Sequence, residues 1–328
     1  MAFPVPPSGV WCPAVTLFDP ATDTLDLASQ AGYFGYLGLQ TGLAGLVVLG
    51  TNAETFLLTR EERRALVRCA RAALAPGGHD GARPPPIMVG VGGHSERQVL
   101  EFVDDAVAEG ADYVMLLPPG YFGRVDRVGE VVEGFYDRVA RECARKGVGV
   151  VVYNFPGVCG GIDLDSEAIA RLVRKHENIV GVKLTCGSVA KITRLAAEFP
   201  PERFAVFGGQ SDFLIGGLAV GSAGCIAAFA NVFPKTIVEV YNLYKAGRTQ
   251  EALELHRKAA LAEQALKAGG IAATKYAASV FTAPVAGVED AEAKMMPRRP
   301  YLPPTEEAKR KIRGALAEVA AIEKSIVR

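Results

Sequence analysis

The sequence lacks several features that would tie it to a membrane or to a charged polymer. Over 328 residues it has no apolar run close to the roughly 18 residues of a membrane span. Lysine plus arginine and aspartate plus glutamate are equal at 36 each, without a basic stripe, which argues against nucleic acid and anionic membranes as partners. The opening MAFPVPPSG has neither the basic nor the apolar region of a secretory signal. We therefore expect a cytoplasmic globular protein.

Clustered metal ligands are missing as well. The six cysteines are widely scattered without a C-x-x-C pair, and the four histidines are too dispersed to suggest a metal cluster. The cysteines are expected to be free and mostly buried, as in a reducing cytosol, and no metal or cofactor is predicted. Cys186 is the one thiol that an electropositive pocket would make reactive, because it follows a candidate catalytic lysine by three residues.

The sequence does contain a regular alternation of two kinds of segment. Eight short segments rich in β-branched or aromatic residues, each closed by Gly, Pro or Asn, predict strands. They are Val10–Thr16, Gly45–Leu49, Ile87–Val91, Tyr113–Leu116, Val148–Tyr153, Ile179–Leu184, Phe204–Phe207 and Gly224–Ala227. Amphipathic segments predict the helices between them. These are Leu27–Gln40, Thr59–Ala75, Ser95–Glu109, Arg127–Arg145, Asp165–Lys175, Ser188–Phe199 and Ser211–Val220, with a further helix beginning at Pro234.

Eight strand–helix units in succession, without a break in composition, predict a (β/α)8 TIM barrel of the α/β class. A doubly wound sheet is the alternative, but it usually has fewer strands before a change of domain. We expect residues 1–245 to form the barrel and residues 246–328 to form a C-terminal helical extension packed on it. The proline-rich segments 76–86 and 296–304 predict surface loops. The helices predicted for the extension are Thr249–Ala268, Ile271–Phe281 and Thr305–Val327.

One lysine stands out in the sixth predicted strand. Alternate residues of a strand share a face, so Gly181, Lys183 and Thr185 point one way. The strand ends there and a helix follows, which places Lys183 at the carboxyl edge of the barrel, where such folds keep their chemistry. Burial lowers the pKa of a lysine and makes its amine nucleophilic, whereas a structural lysine would reach solvent or pair with a carboxylate.

Two other segments end at the same edge. Gly50–Glu54 (GTNAE) follows the second strand and offers backbone N–H, hydroxyl and amide groups for a carboxylate or an oxyanion. Tyr153–Pro156 (YNFP) follows the fifth strand and brings a phenol suited to act as acid, base or relay. A lysine in this setting can form a Schiff base with a ketone. Each segment alone is weak evidence for a function, but together the three segments indicate keto-acid chemistry.

These segments resemble, in their order, the dihydrodipicolinate synthase/N-acetylneuraminate lyase family of class I aldolases. The resemblance runs from about residue 10 to residue 234, through Gly50–Glu54, Leu117–Phe122 (LPPGYF), Tyr153–Pro156, Gly181–Lys183 and Phe207–Gly209. It implies a pyruvate-type Schiff base on Lys183, with Tyr153 as the proton shuttle. It also implies that Thr51 and Asn52 hold the carboxylate of the keto acid.

The resemblance extends to the neighbourhood of the lysine and to the assembly. Tyr121 matches a tyrosine that family members lend to the active site of a neighbouring subunit, so a homotetramer built from dimers is expected. In the implied mechanism, Tyr153 acts directly or through a relay with Thr51 and Tyr121. Gly209 and Ile226 match positions that line the pocket. The implied partners are small molecules, namely a keto acid (pyruvate) and an aldehyde.

Two differences from the family pattern narrow the range of possible substrates. The synthases carry an arginine after the Tyr-Asn-x-Pro turn for the carboxylate of their aldehyde, but residues 157–161 are GVCGG, which offer no cationic grip. The neuraminate lyases have an acidic pair where this chain has Gln210 and Ser211. With Asn52 in place of a second hydroxyl, the chain looks closer to the 4-hydroxy-2-oxoglutarate and 2-keto-3-deoxy sugar-acid aldolases. There, Thr185, Gln210 and Ser211 would bind the hydroxyls of the aldehyde.

The expected reaction is therefore the reversible cleavage of a 2-keto-3-deoxy sugar acid or 4-hydroxy-2-oxo acid to pyruvate and an aldehyde. Three alternatives remain: a dihydrodipicolinate synthase with another carboxylate clamp, an inert barrel with a binding role, and nucleotide binding at Gly90–His94 (GVGGH). The last lacks the full G-x-G-x-x-G pattern and lies in the third unit of the chain. Glu54 is either a partner of the site or a helix cap or surface ion pair.

Overall fold

A computed structural model describes residues 3–75, 84–122 and 128–327. Within these residues, eight parallel strands follow one another in sequence order, and the last pairs with the first to close a barrel. The strands are β1 (Gly9–Pro13), β2 (Gly45–Val48), β3 (Ile87–Gly90), β4 (Tyr113–Leu116), β5 (Gly149–Asn154), β6 (Ile179–Leu184), β7 (Ala205–Gly208) and β8 (Gly224–Ile226). The predicted TIM barrel is confirmed, and the doubly wound alternative is wrong because the sheet closes on itself.

A helix follows each strand and covers the outside of the barrel. These helices are α1 (Leu27–Gln40), α2 (Arg60–Leu74), α3 (Glu96–Ala108), α4 (Val128–Arg145), α5 (Ser166–Lys175), α6 (Val189–Glu198), α7 (Leu214–Ala219) and α8 (Pro234–Lys245). The Thr59 side chain and Glu62 form a reciprocal capping box that begins α2. Helix α7 begins later than predicted, at Leu214, after a turn in which the Leu214 N–H donates to the Ser211 carbonyl at 3.1 Å. The side chains of Ser211 and Asp212 bind side chains of a later helix.

Four helices follow the barrel and share its hydrophobic core. They are α9 (Thr249–Lys267), α10 (Gly270–Phe281), α11 (Ala291–Lys294) and α12 (Glu306–Ser325). Ala252 of α9 and Leu316 of α12 are fully buried members of one cluster that also contains the strand residues. The division at residue 245 stays a prediction. The loop predicted at 76–86 lies largely outside the described residues. Among the helices described, none is long and apolar enough to cross a membrane.

The register of the strands decides which side chains fill the barrel. Trp11 of β1 packs edge-on against Tyr113 of β4 and Phe207 of β7, with ring centres 6.3 Å apart in both pairs. Contacts between non-adjacent strands require these rings to point inward. Because Lys183 pairs with Phe207 in the register, it shares that inward face. The barrel thus presents Lys183 on its inside, toward the carboxyl end of β6.

Candidate active site

The barrel interior holds Lys183 of β6 beside Tyr153 of β5. The two residues are direct partners in the register of their strands, and each is only 2% exposed. Nζ of Lys183 lies 4.2 Å from the centre of the Tyr153 ring. The amine is therefore held against a phenol ring inside the barrel and does not reach out to solvent.

Three lysines are buried among the residues described, and two of them have an obvious structural role. Lys191 forms an ion pair with Asp163 at 2.5 Å, and Lys275 forms one with Glu54 at 2.6 Å. Among the residues that the structure describes, no carboxylate forms an ion pair with Lys183. Buried lysines are ordinarily paired. An ion pair explains why the other two lysines can be buried, but it does not explain the burial of Lys183.

The turn that follows β2 reaches the same pair of residues. Residues Thr51–Ala53 form one 3-10 turn, and Oγ1 of Thr51 lies 3.3 Å from the hydroxyl of Tyr153. Asn52 is half-buried next to Thr51. The structure therefore brings Thr51, Tyr153 and Lys183 into one chain of contacts, from the turn after β2 to the amine on β6.

Thr185 and Gly209 meet where β6 and β7 end. The Gly209 N–H donates to the carbonyl of Leu184 at 3.0 Å, and a Cβ at position 209 would lie 2.5 Å from Cα of Thr185. A side chain at this position would therefore force the strand ends apart. The Thr185 hydroxyl is buried and has no hydrogen-bond partner among the residues described. Ile226 of β8 is fully buried and pairs with the inward-facing Trp11, so it lines the barrel.

The two polar residues after Gly209 differ in their contacts. Oε1 of Gln210 accepts a hydrogen bond from Nζ of Lys267 at 3.4 Å. The Ser211 hydroxyl donates to Glu263 of α9 at 2.6 Å, so this hydroxyl is already engaged within the protein. Gln210 and Ser211 both stay candidates for substrate contact, but the Ser211 hydroxyl donates its proton to Glu263 and could only accept a hydrogen bond from a substrate.

Tyr121 lies apart from the lysine–tyrosine pair. Its side chain is 81% exposed, and its ring packs edge-on against His94 with 5.7 Å between ring centres. His94 in turn stacks on the exposed ring of Phe56 at 5.8 Å. These three rings form an exposed aromatic row near the GVGGH segment. In that segment, Gly90 is required by packing, because a Cβ there would overlap the Leu49 carbonyl oxygen.

Glu263 is a buried titratable residue beside the site that no sequence motif marks. Its carboxylate is 7% exposed and accepts hydrogen bonds from both the hydroxyl and the N–H of Ser211. Burial raises the pKa of Glu263 to about 7, and the nearby Asp212 carboxylate adds to that rise. The helical spacing of buried residues on α9 would have located it on the inner face. That face consists of Ala252, His256, Ala259, Ala262, Glu263 and Leu266.

Glu263 predicts a pH dependence of stability. A folded-state pKa of about 7 against the ordinary 4.5 means that the folded state holds this proton more tightly, so its contribution is lost as pH rises from about 4.5 to 7. The difference corresponds to roughly 3 kcal/mol in the free energy of unfolding. Glu263→Gln should therefore be more stable than the parent at about pH 8 and nearly equal to it at about pH 4, measured by thermal unfolding. A pH-independent gap between the two proteins contradicts this assignment.

Free thiols lie near Lys183 but take no part in the contacts that join it to Tyr153 and Thr51. All six cysteines are free; four are buried, while Cys69 and Cys186 are half-buried. Burial raises the pKa of Cys12 and Cys225 well above the ordinary value, and the charge of Lys183 opposes the rise in both. The described residues contain no group of three or more His, Cys, Asp or Glu side chains that could hold a metal ion.

Fold and site together define a TIM barrel with a lysine–tyrosine pair inside its carboxyl end. The chain belongs to the Dihydrodipicolinate synthetase family, which residues 6–319 match. It is 61% identical over 319 residues to "Putative 4-hydroxy-2-oxoglutarate aldolase, mitochondrial" of Coccidioides immitis, covering 97% of this chain and 98% of that protein. It is 33% identical over 291 residues to "L-threo-3-deoxy-hexylosonate aldolase" of Aspergillus niger, covering 82% and 84%.

Solved structures agree on the fold. A dihydrodipicolinate synthase family protein from Coccidioides immitis superposes with a TM-score of 0.88 at 59% identity and covers 98% of both chains. YagE from Escherichia coli K12, a member of the same family solved in complex with pyruvate, superposes with a TM-score of 0.83 at 26% identity and covers 95% of this chain and 98% of that one. The family resemblance expected from the sequence is therefore confirmed.

The expected cytoplasmic location is wrong. The Coccidioides immitis relative and a 35% identical relative from Emericella nidulans, covering 97% of this chain and 96% of that protein, are both named as mitochondrial. The expectation relied on scattered cysteines and on the missing pattern of a secretory signal. Free thiols distinguish a reducing compartment from an oxidising one, but they do not distinguish one reducing compartment from another.

Proposed function

We propose that this protein is a class I aldolase that cleaves a 4-hydroxy-2-oxo acid or 2-keto-3-deoxy sugar acid through a Schiff base at Lys183. The observation that carries the proposal is a buried lysine amine, without a carboxylate partner among the described residues, held 4.2 Å from the ring centre of Tyr153. The names of the relatives confirm the expectation of a keto-acid aldolase and favour it over the synthase.

The geometry supports an order of steps. Nζ of Lys183 attacks the C2 ketone, and loss of water leaves a protonated imine that can accept electrons. Tyr153, directly or through Thr51 at 3.3 Å, takes the proton of the C4 hydroxyl. The C3–C4 bond breaks, its electrons form an enamine, and the aldehyde leaves. Protonation of the enamine at C3 and hydrolysis of the imine then release pyruvate and restore the lysine.

The remaining residues of the site divide into two groups. Thr51 and Asn52 bind the carboxylate next to the ketone, since their turn ends beside Tyr153. Thr185 and Gln210 bind hydroxyls of the aldehyde portion, and the absence of a side chain at Gly209 lets the ends of β6 and β7 lie close together there. Ile226 forms an apolar wall.

The aromatic row and the names of the relatives support two broader proposals. Tyr121 enters the site of a neighbouring copy in a homotetramer, and its 81% exposure in the single chain supports this role. The protein works in mitochondria, as the names of the two relatives support.

Pyruvate release is the direct test of the reaction. The purified protein is given 4-hydroxy-2-oxoglutarate or L-threo-3-deoxy-hexylosonate, and pyruvate is followed with lactate dehydrogenase. Turnover of either compound supports the proposal, and their kcat/KM ratio ranks the two substrate classes. In parallel, pyruvate and aspartate semialdehyde are supplied together. Efficient condensation of that pair, without cleavage of the other two, would overturn the proposal in favour of a synthase.

Thr185→Val should separate aldehyde recognition from pyruvate chemistry. The Thr185 hydroxyl has no hydrogen-bond partner among the described residues, so valine should fit without loss of stability. One lost hydrogen bond to a substrate hydroxyl should lower kcat/KM for cleavage about 10- to 100-fold. Trapping of pyruvate with borohydride should be unchanged, because pyruvate lacks that hydroxyl. Equal loss of trapping and cleavage contradicts a role confined to the aldehyde.

A further inference from the structure

The turn that carries Thr51 and Asn52 ends at a residue in an unusual conformation. Glu54 has φ 56° and ψ 36°, in the left-handed region that non-glycine residues adopt only at a cost. Its side chain is completely buried. Burial excludes the surface ion pair considered from the sequence, and although Glu54 stands between two 3-10 turns, its side chain forms no cap hydrogen bond. Contacts of the buried carboxylate must hold this conformation in place.

Those contacts come from the C-terminal extension. Nζ of Lys275, on α10, donates to Oε1 of Glu54 at 2.6 Å, and the backbone N–H of Arg298 donates to Oε2 at 2.7 Å. Lys275 is itself fully buried and also donates to the carbonyl of Met296 at 3.0 Å. Nη1 of Arg298 donates to the carbonyl of Leu57 at 3.0 Å. The extension therefore binds the segment 51–57 at two points.

A buried ion pair of this kind adds little net stability compared with apolar side chains of the same size, because both charges have lost their water. The ion pair does fix the position of Glu54, because its carboxylate must lie at hydrogen-bond distance from both Nζ of Lys275 and the N–H of Arg298. The distance of 3.3 Å between Thr51 and Tyr153 is near the limit for a hydrogen bond, so a small displacement of the turn would break it.

We propose that the C-terminal extension completes the active site, with Glu54 and Lys275 as positioning residues that hold the carboxylate-binding turn against Tyr153. This inference rests on the proposed function, since it assigns the turn its task. Neither residue touches the substrate in this scheme. They act through Thr51 and Asn52, and their removal should weaken binding of the keto acid while Lys183 stays in place.

The experiment uses Lys275→Met, Glu54→Gln and the double variant in the full chain. The matched control is Lys309→Met, which removes a lysine of the same extension whose ion pairs to Glu292 and Glu306 lie at the surface. Each single variant should lower kcat/KM about 10- to 100-fold, mainly through KM for the keto acid. The double variant leaves no unpaired buried charge, so it should recover thermal stability but keep the raised KM. If the ion pair had only a structural role, the double variant would recover both the thermal stability and the KM of the parent.

Hydrogen exchange of the turn supplies a measurement that needs no activity. The N–H groups of Ala53, Glu54 and Leu57 donate to carbonyls of Gly50, Thr51 and Glu54 within the turn region 50–57, and they should exchange at least about 10-fold faster in Lys275→Met than in Lys309→Met. Unchanged exchange, or a folded Lys275→Met with the parent KM, overturns the inference. If the parent protein is not trapped by pyruvate and borohydride, the proposed function fails instead, and the exchange data still decide whether the extension holds the turn.

Discussion

Lys183→Met is expected to abolish covalent trapping of pyruvate. Methionine keeps the length and the apolar stem of the side chain but has no amine, so no imine can form for borohydride to reduce. Cleavage should fall by at least about 1,000-fold in kcat, because the covalent route is lost. Intact mass after treatment with pyruvate and borohydride, followed by peptide mapping, measures the first effect, and pyruvate release measures the second.

Lys191→Met is the matched control for this experiment. Lys191 is also a buried lysine on the element that follows β6, but it is paired with Asp163. Its loss should lower thermal stability, since Asp163 loses its partner, and should leave the adduct in place. The stability of Lys183→Met should stay close to that of the parent, because no described carboxylate loses a partner. An adduct of undiminished yield in Lys183→Met would place the Schiff base elsewhere.

The fold and the position of Lys183 inside the barrel were predictable because their signals are local. The sixth strand was predicted and found at Ile179–Leu184, and α1 was predicted and found at Leu27–Gln40. The spacing of apolar residues within such a segment, and the residues that begin and end it, predict its structure without reference to distant residues. The proximity of Lys183 and Tyr153 also follows from the order of the strands in the sequence, because consecutive strands of a barrel are neighbours.

The contacts that support the site were not predictable, because they join distant parts of the chain. Lys275 lies 221 residues after Glu54, and Glu263 lies 52 residues after Ser211. The helical spacing can place Glu263 on the inner face of its helix, but nothing in the sequence identifies the distant residue that each of these side chains contacts. The proline-rich segment 296–304 was predicted as a surface loop, yet it begins with the residues that bind Glu54 and Lys275.

Tyr153→Phe is expected to slow cleavage without preventing imine formation. Phenylalanine preserves the ring that lies 4.2 Å from Nζ of Lys183, so pyruvate should still be trapped. Removal of the hydroxyl takes away the proposed proton acceptor for the C4 hydroxyl, which should lower kcat by about 100- to 10,000-fold. Steady-state kinetics of pyruvate release measure the effect. The matched control is Tyr136→Phe, whose buried hydroxyl donates to the Leu116 carbonyl at 2.7 Å and should affect stability alone.

A double-mutant cycle with Thr51→Val tests whether the two hydroxyls act together. If the proton passes between Tyr153 and Thr51 across their 3.3 Å contact, the loss of either hydroxyl interrupts the same relay. The double variant should then be little slower in kcat than Tyr153→Phe alone, as residues that act as a unit have strongly non-additive effects. Additive losses in kcat would mean that the two hydroxyls act independently, which contradicts the relay. An unchanged kcat with a raised KM in Thr51→Val would mean that Thr51 serves only to bind the carboxylate. The relay would then reduce to Tyr153 acting directly on the C4 hydroxyl, with Thr51 contributing through KM.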